Sequence, residues 1–185
     1  GRGRGVVAAR RPSARRTLRV VTSMDKGFLI EQLALHLREI ARTARLAMEA
    51  ANTEAREGAT PAERREDSRV AQENSGLARG HRARLDRAMG DLAMLDTFRP
   101  PRLAPKAPVA VGAVVEVEDG AEGRTLFLAP VGAGVELTGP GGDGFLSVVT
   151  PSSPIGRAVL GRRVGETLEV VVNGESTEWT VMYVE

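Results

Sequence analysis

The chain has 185 residues, with 26 Lys and Arg against 24 Asp and Glu, two histidines and no cysteine. This length allows one large domain or two small ones. The lack of cysteine excludes disulfides, zinc fingers and thiol catalysis, and two histidines exclude an imidazole-rich metal site. Four Phe, one Trp and one Tyr are too few for a protein that stacks single-stranded bases on aromatic rings. No apolar run approaches the roughly 20 residues of a membrane span.

The basic charge is concentrated at the start of the chain. Residues 1–23 hold seven Arg and no acid, so residues 24–185 contain 19 basic and 24 acidic residues, a net charge of −5. A reader of duplex DNA is expected to carry a basic face on its folded domain, so direct DNA binding is not expected as the main activity. The first 23 residues lack an amphipathic period and predict a disordered tail, or a mis-assigned gene start before Met24. An RNA- or phosphate-binding arm is the alternative.

Two heptad patterns predict a pair of long helices in residues 24–98. The first helix covers residues 25–57, and the second covers about 61–97. The seam of the first consists of Leu33, Leu37, Ile40, Ala44, Ala47 and Ala51, and that of the second of Ala71, Asn74, Ala78, His81, Leu85, Ala88, Leu92 and Leu95. Gly58 as a stop and a capping box from Thr60 to Glu63 predict a short turn. An antiparallel coiled-coil hairpin follows, with an arm on the order of 50 Å, and its alanine-rich seam predicts marginal stability.

The remaining residues divide into a linker, 99–108, and a C-terminal domain, 109–185. Four prolines in the linker forbid helix and favour an extended spacer. Beyond it a period of two predicts strands at Val111–Glu118, Arg124–Ala129, Phe145–Val149, Leu168–Val172 and Thr177–Val184, with a hairpin turn at Asn173-Gly174. In the last strand, Trp179, Val181 and Tyr183 are predicted to share one face. A cap at Ser153, Pro154 at the first position and a stop at Gly161 predict one short helix. The fold class is therefore α+β, a helical hairpin followed by a small twisted sheet with one helix.

The run from Thr150 to Glu166 resembles the C-terminal signature of the Gre-factor family (GreA and GreB). The matching pieces are Ser153-Pro154, Ile155-Gly156, Leu160-Gly161-Arg162 and Gly165-Glu166, while Thr150 replaces the family's serine. Upstream, residues 54–57 and 76–80 resemble the two sides of the Gre coiled-coil tip. The resemblance covers about residues 28–185.

This resemblance implies an FKBP-like C-terminal domain that docks near the secondary channel of bacterial RNA polymerase. The coiled coil then reaches down the channel to the active centre, and the factor is not an enzyme by itself. The docking candidates by resemblance are Ser153, Pro154, Ile155, Arg157 and Arg162. A cytoplasmic location follows, with nucleic acid met only through the elongation complex. A monomer is expected, because the seam is satisfied within one hairpin.

The tip of the hairpin departs from the family pattern. The resemblance implies that cleavage-active members carry an acidic tip, Asp-x-x-Glu after a Gly, which helps hold a Mg²⁺ of the polymerase. Here Gly58 is followed by Ala59-Thr60-Pro61-Ala62, without the Asp. The acids nearby are Glu63, Glu66 and Asp67, which share one helix face. Either Glu63 and Glu66 provide a shifted pair for a shared Mg²⁺, or these acids only cap the helix and complement its dipole. A cleavage-stimulating factor and a non-cleaving channel regulator both remain open.

Two other classes of function compete with this interpretation. A prolyl isomerase needs a concave pocket lined by aromatic rings, and strand alternation places several of Phe127, Phe145, Trp179 and Tyr183 in the core. A coiled-coil scaffold or nucleic-acid-binding protein is favoured by the Arg-rich first 23 residues and disfavoured by the acidic remainder.

Overall fold

The computed structural model describes residues 24–57, 64–120, 122–139, 142, 144–172 and 174–185, and the side chains at 55–71 and 172 are outside the described set. Two long helices, α1 (Lys26–Glu57) and α2 (Arg64–Thr97), pack along each other as a hairpin. The start of α1 is capped by Asp25, whose Oδ1 accepts hydrogen bonds from the amides of Gly27 (3.0 Å) and Phe28 (3.3 Å). The predicted stop at Gly58 and the capping box at 60–63 lie outside the described residues. No helix in the described part of the chain combines the length and the apolar character needed to cross a membrane.

The heptad pattern correctly predicts the contact face of both helices. Buried seam residues are Leu33, Leu37, Ala44 and Ala51 on α1 and Ala78, Leu85, Ala88 and Leu95 on α2. Ile40, Ala47, Asn74, His81 and Leu92 are half-buried along the same seam. Midway along the hairpin the buried cluster consists mainly of alanine, with Ala41, Ala44 and Ala88 around Leu85. The helical hairpin is therefore confirmed, and the core of its middle part consists mainly of small side chains.

The segment after α2 contains no helix or strand before residue 114, as its prolines predict. It does not form a free spacer, however, because it is packed onto the following domain. Leu103 contacts the domain core. Pro101 approaches Gly112 so closely that a Cβ on that glycine would come within 2.6 Å of the proline ring. The close approach of Pro101 to Gly112, with Leu103 on the domain core, fixes this segment to the domain.

Six strands form one mixed sheet. They are β1 (Val114–Glu118), β2 (Gly123–Leu128), β3 (Glu136–Thr138), β4 (Phe145–Val149), β5 (Thr167–Val172) and β6 (Glu175–Val184), in the order β3-β4-β2-β1-β6-β5. Among these described strands, only the β2–β4 pair is parallel. A short helix, α3 (Pro154–Val159), lies between β4 and β5. The predicted fold class is confirmed, while the edge strand β3 was missed because three residues are too few to show a period of two.

The two faces of the sheet bury different partners. One face, with Phe127 and Val148 at its centre, packs against Leu29, Leu33 and Leu95 at the root of the hairpin. The opposite face contains a second buried cluster, whose members include Leu126, Val159 of α3, Leu168, Trp179 and Val181. Helix α3 and the hairpin root therefore lie on opposite faces of the sheet.

A β-bulge in the last strand changes the predicted alternation. Val117 of β1 pairs with Val181, but the preceding Glu116 pairs with Tyr183, so Met182 is an extra residue on β6. Residues opposite each other across a ladder share a face, and Glu116 and Val117 face opposite ways. Tyr183 therefore faces away from Trp179 and Val181, and the prediction of one shared face was wrong for Tyr183.

Candidate functional site

The loop before α3 is held by a serine that caps the helix. Ser153 has an extended backbone (φ −73°, ψ 153°), and its Oγ accepts hydrogen bonds from the amides of Gly156 (3.1 Å) and Thr150 (3.2 Å). The same hydroxyl donates to the carbonyl oxygen of Thr150 at 2.9 Å. Thr150 Oγ1 also lies 3.1 Å from Ser152 Oγ. The predicted cap at Ser153 and the position of Pro154 in the first turn are confirmed.

Gly156 is required where the helix passes this loop. A Cβ at position 156 would lie 1.9 Å from the carbonyl oxygen of Thr150, far inside van der Waals contact. Because the obstructing atom belongs to the backbone, rotation of a side chain cannot relieve the clash. The Ser-Pro-x-Gly spacing in this sequence thus has a complete steric and hydrogen-bonding explanation within the domain.

The five docking candidates differ in how much surface they present. Pro154, Arg157 and Arg162 are exposed, whereas Ser153 and Ile155 are half-buried. Ile155 packs against the core of the domain, and Ser153 uses its hydroxyl as the cap. All five lie in one stretch around α3. Among these five, the three exposed residues present their side chains to a partner, and Arg162 also donates from Nε to the carbonyl oxygen of Ala158 at 3.3 Å.

Two apolar side chains beside α3 were not identified from the sequence. Leu160 is 41% exposed and Val164 is 49% exposed, although both are large hydrophobic residues. Between them, Arg163 donates from Nη1 to the carbonyl oxygen of Lys106 at 2.8 Å, which ties the loop after α3 to the segment before β1. The sequence signal was available, since Leu160 and Val164 flank a run of Gly and Arg. We refer to Pro154, Arg157, Leu160, Arg162 and Val164 as the α3 surface.

The α3 surface is a basic region in an acidic domain. Residues 104–185 contain five basic and eleven acidic residues. Three of the five, Arg157, Arg162 and Arg163, lie within seven residues of sequence at this surface, and none of the domain's acids lies between 144 and 165. Exposed leucine and valine surrounded by arginine fit a partner surface that is both apolar and acidic.

The hairpin presents a second group of arginines: Arg79, Arg82, Arg84 and Arg87 of α2. All four are exposed, as expected for a solvated face. Arg82 pairs with Asp86, with both Nε–Oδ distances 3.1 Å. Arg84 lines a shallow groove together with residues of α1, namely His36, Glu39, Ile40 and Thr43. Glu39 bonds to Arg42 (Nη2–Oε1, 2.8 Å), and this hydrogen bond lowers the pKa of the Glu39 carboxyl.

The acidic tip candidates lie outside the part of the chain whose side chains the structure describes. Glu63 precedes the described part of α2, and Glu66 and Asp67 lie in its first turn without described side chains. A shared Mg²⁺ at Glu63 and Glu66 thus stays a prediction. Where side chains are described, no group of three or more His, Asp or Glu residues could hold a metal ion.

The aromatic residues do not gather into a pocket. Phe127 is buried on the hairpin side of the sheet, and Trp179 is buried in the cluster on the other side. Phe145 is 74% exposed at the start of β4. Arg124 covers the Trp179 ring, with its guanidinium carbon 5.3 Å from the ring centroid. These positions provide no aromatic cradle for a proline ring, so the isomerase alternative loses its structural basis.

A helical hairpin rooted on a mixed six-stranded sheet, with a capped short helix on the far face, defines a two-part protein that carries an arm on a small domain. Residues 104–185 match the family model "Transcription elongation factor, GreA/GreB, C-term". The C-terminal part of the chain is therefore similar to the GreA/GreB family of transcription elongation factors. Members of this family regulate RNA polymerase and are not enzymes themselves. The match gives no support to direct DNA binding.

The chain is similar to three solved structures, each with a sequence identity of 20% or less and a TM-score below 0.5. The GreA factor homolog 1 (Gfh1) of Thermus thermophilus is 20% identical, with 88% of this chain and 96% of that chain covered and a TM-score of 0.36. Gfh1 of Thermus aquaticus is 17% identical over 88% and 96%, with a TM-score of 0.34. GreA/GreB from Nitrosomonas europaea is 20% identical over 52% and 78%, with a TM-score of 0.33. No curated protein matches the sequence. The similarity to the GreA/GreB family therefore rests on residues 104–185 and not on these structures.

Proposed function

We propose that this chain binds RNA polymerase through the α3 surface and modulates elongation with its hairpin inserted into the secondary channel. The observation that carries this function is the family match over residues 104–185, the part of the chain that contains the α3 surface. The exposed side chains there have the composition of a protein interface, with leucine and valine surrounded by arginine. The protein acts in the cytoplasm as a monomer.

The hairpin has the dimensions that this function needs. Helix α1 has 32 residues and α2 has 34, so each spans about 50 Å at 1.5 Å per residue. The root of the hairpin is buried against the sheet, and α3 lies on the opposite face. A partner on the α3 surface thus leaves the hairpin uncovered.

We further propose that the chain acts as a regulator without stimulating RNA cleavage. The support is the sequence after Gly58, where Ala59-Thr60-Pro61-Ala62 contains no acid. A carboxylate is the side chain suited to hold Mg²⁺ beside the attacking and leaving oxygens, and no acid stands at this point of the tip. The second candidate is cleavage stimulation by Glu63 and Glu66, which the acid-rich start of the second helix favours.

Transcript cleavage in backtracked elongation complexes of the cognate polymerase separates the two versions. We expect no shortened RNA at saturating protein, together with competition against an authentic cleavage factor. Shortened RNAs that disappear with Glu63→Ala or Glu66→Ala would instead establish the second candidate. Neither cleavage nor competition would overturn the polymerase function altogether.

The docking surface is tested by charge reversal. The double variant Arg157→Glu/Arg162→Glu places acids on the α3 surface, and we expect its affinity for polymerase to fall at least tenfold because like charges then face the partner. Arg102→Glu is the matched control, since Arg102 is exposed and lies outside the surface. Equal affinities of the double variant and the wild-type protein would place docking elsewhere on the domain.

A further inference from the structure

The joint between hairpin and sheet contains a polar contact across 106 residues of sequence. The side-chain amide of Gln32 on α1 donates from Nε2 to the carbonyl oxygen of Thr138 at 2.8 Å. Its Oε1 accepts from the backbone amide of the same residue at 3.2 Å. One side chain thus satisfies both backbone groups of a single strand residue. Gln32 is half-buried, so these bonds are partly shielded from water.

This geometry makes Gln32 a substitute for the next strand of the sheet. Thr138 belongs to β3, an edge strand that pairs only with β4. The free side of an edge strand presents unpaired donors and acceptors, and the glutamine amide supplies the complementary pair. Two hydrogen bonds to one residue fix the rotation of α1 as well as its distance from the sheet.

The next residue of α1 provides a steric element of the joint. Leu33 is completely buried, and it lies against Gly132 in the loop before β3. A Cβ on Gly132 would come within 2.6 Å of Leu33 Cδ1, so the leucine fits only because position 132 has no side chain. Leu33 belongs to the buried cluster around Phe127, so a shift of its side chain disturbs buried neighbours.

The two ends of the described chain close the other side of the joint. The backbone amide of Met24 donates to Glu185 Oε1 at 2.8 Å, and Lys26 Nζ donates to the carbonyl oxygen of Pro101 at 3.1 Å. Burial lowers the pKa of Lys26, and the nearby Glu185 opposes that shift. The root of α1 is thus held at its first turn as well as at Gln32 and Leu33.

We propose that Gln32, with Leu33 seated on Gly132, positions the hairpin by fixing its direction relative to the α3 surface, an inference that rests on the proposed function. Gln32 acts through the hairpin and does not touch the polymerase active centre. The far end of α1 lies 25 residues beyond Gln32, about 38 Å at 1.5 Å per residue, so a tilt of about 10° at the joint moves it by roughly 6.5 Å. A displacement of that size takes the tip out of a narrow channel.

The direction of the hairpin is measured in the free protein by electron spin resonance between two labels. The chain has no cysteine, so Asn52→Cys on α1 and Glu178→Cys on β6 provide two unique exposed sites. We expect one narrow distance distribution for this labelled protein. Gln32→Leu should broaden it, and Gly132→Ala should shift or broaden it. Gly134→Ala is the matched control, because both glycines have φ +86° but position 134 has nothing within 4 Å of a Cβ.

Each possible distance distribution supports or contradicts the positioning role. A broad distribution in the labelled wild-type protein, or unchanged distributions in both Gln32→Leu and Gly132→Ala, would overturn the positioning role. If Gly132→Ala does not fold, Gln32→Leu carries the test, because it keeps the size of the side chain and removes only the two hydrogen bonds. Gln32→Glu retains the acceptor for Thr138 and should give an intermediate width.

A polymerase assay then separates this inference from the proposed function. Gln32→Leu should bind polymerase within twofold of wild type but lose at least tenfold of its effect on elongation at saturation. The α3 surface variant should do the reverse, with weak binding and a full effect once saturated. Equal loss of binding and effect in Gln32→Leu would contradict a positioning role. If the spin-resonance results are as expected but the wild-type protein does not bind polymerase, the proposed function is overturned. The positioning of the hairpin by the joint then still stands.

Discussion

The sheet domain and the middle of the hairpin are held together by different kinds of side chain. On the hairpin side of the sheet, Phe127 of β2 is buried among valines and leucines from three other strands and both long helices. Midway along the hairpin, the buried cluster is Ala41, Ala44 and Ala88 with Leu85. Alanine has a small apolar surface, so each contact there contributes much less hydrophobic free energy than one around Phe127.

The sheet domain and the hairpin therefore differ in how their structure is stabilised. The domain that presents the α3 surface has its own two-sided core, and the cap at Ser153 holds the loop in one conformation. The hairpin depends on its root for stability, because long helices are stabilised mainly by tertiary packing. A hairpin with a small core, rooted on a well-packed domain, has the shape that the proposed function requires. Substitutions in the domain and in the hairpin test this contrast.

The largest effect is expected at Gly156. Gly156→Ala places a Cβ 1.9 Å from the Thr150 carbonyl oxygen, so the backbone must move. We expect the free energy of unfolding to fall by about 3 kcal/mol or more, at or above the upper end of the usual range for overpacked sites, because backbone atoms obstruct the Cβ. Gly123→Ala is the control, because the nearest atom to a Cβ there is 3.8 Å away. Urea denaturation of both variants measures the difference, and equal stabilities would contradict the close approach.

A smaller loss is expected at the joint. Leu33→Ala removes a side chain with no exposed surface, and we expect a destabilisation of about 2–5 kcal/mol from lost burial and the resulting cavity. Leu35→Ala is the matched control two residues along α1, where leucine is 62% exposed and the change should stay within about 0.5 kcal/mol. Similar losses in the two variants would show that the root of α1 is not buried on the sheet.

Removal of the helix cap should have a moderate effect. In Ser153→Ala the amides of Thr150 and Gly156 lose their acceptor, which should lower the free energy of unfolding by about 0.5–2 kcal/mol. Ser152→Ala removes only a hydroxyl contact with Thr150 and should cost less. Thermal denaturation followed by circular dichroism compares them. A larger effect at Ser152 would contradict the capping assignment.

The outer hairpin should be easy to stabilise. Gly80 lies within α2 with nothing within 4 Å of a Cβ, so Gly80→Ala should stabilise the helix by about 0.5–1 kcal/mol. The reverse change at a nearby exposed site, Ala83→Gly, should destabilise it by a similar amount. Hydrogen exchange of amides in residues 72–84 reports on both, and a loss of protection in Gly80→Ala would be the contrary result.

The smallest effect is expected at an exposed ion pair of the hairpin. Glu39→Gln removes the contact with Arg42, but both side chains are largely solvated, so the melting temperature at pH 7 should not change. The pKa of Glu39 is lowered by Arg42, so any stabilisation is present above the usual carboxyl range and disappears as pH falls through the lowered value. A measurable drop at pH 7 would indicate a contact beyond Arg42.

Repeating patterns made most of the fold predictable. The heptad pattern predicted the hairpin and its seam, and the period of two predicted five of the six described strands. The Ser153-Pro154 cap and the pairing of β5 with β6 were predictable because each depends on local geometry. The motif around Ser153 indicated the resemblance to the Gre factors, whose family model matches residues 104–185.

Contacts between distant residues could not be predicted. The bulge at Met182 depends on pairing with β1, and the packing of Pro101 depends on Gly112. Nothing in the periodicity of α1 distinguishes Gln32 from any other polar residue beside the seam. At the α3 surface, Pro154, Arg157 and Arg162 were anticipated, whereas Leu160 and Val164 required the exposures that only the fold provides.

The bond between Met24 and Glu185 also has a consequence for biosynthesis. It joins residues 161 positions apart, and Glu185 exchanges two backbone hydrogen bonds with Val114 of β1. The helices leave the ribosome first, but this contact at their root needs Glu185. Contacts of such long sequence separation form late. The contact at the first turn of α1 therefore forms only after Glu185 has been synthesised and β6 has paired with β1.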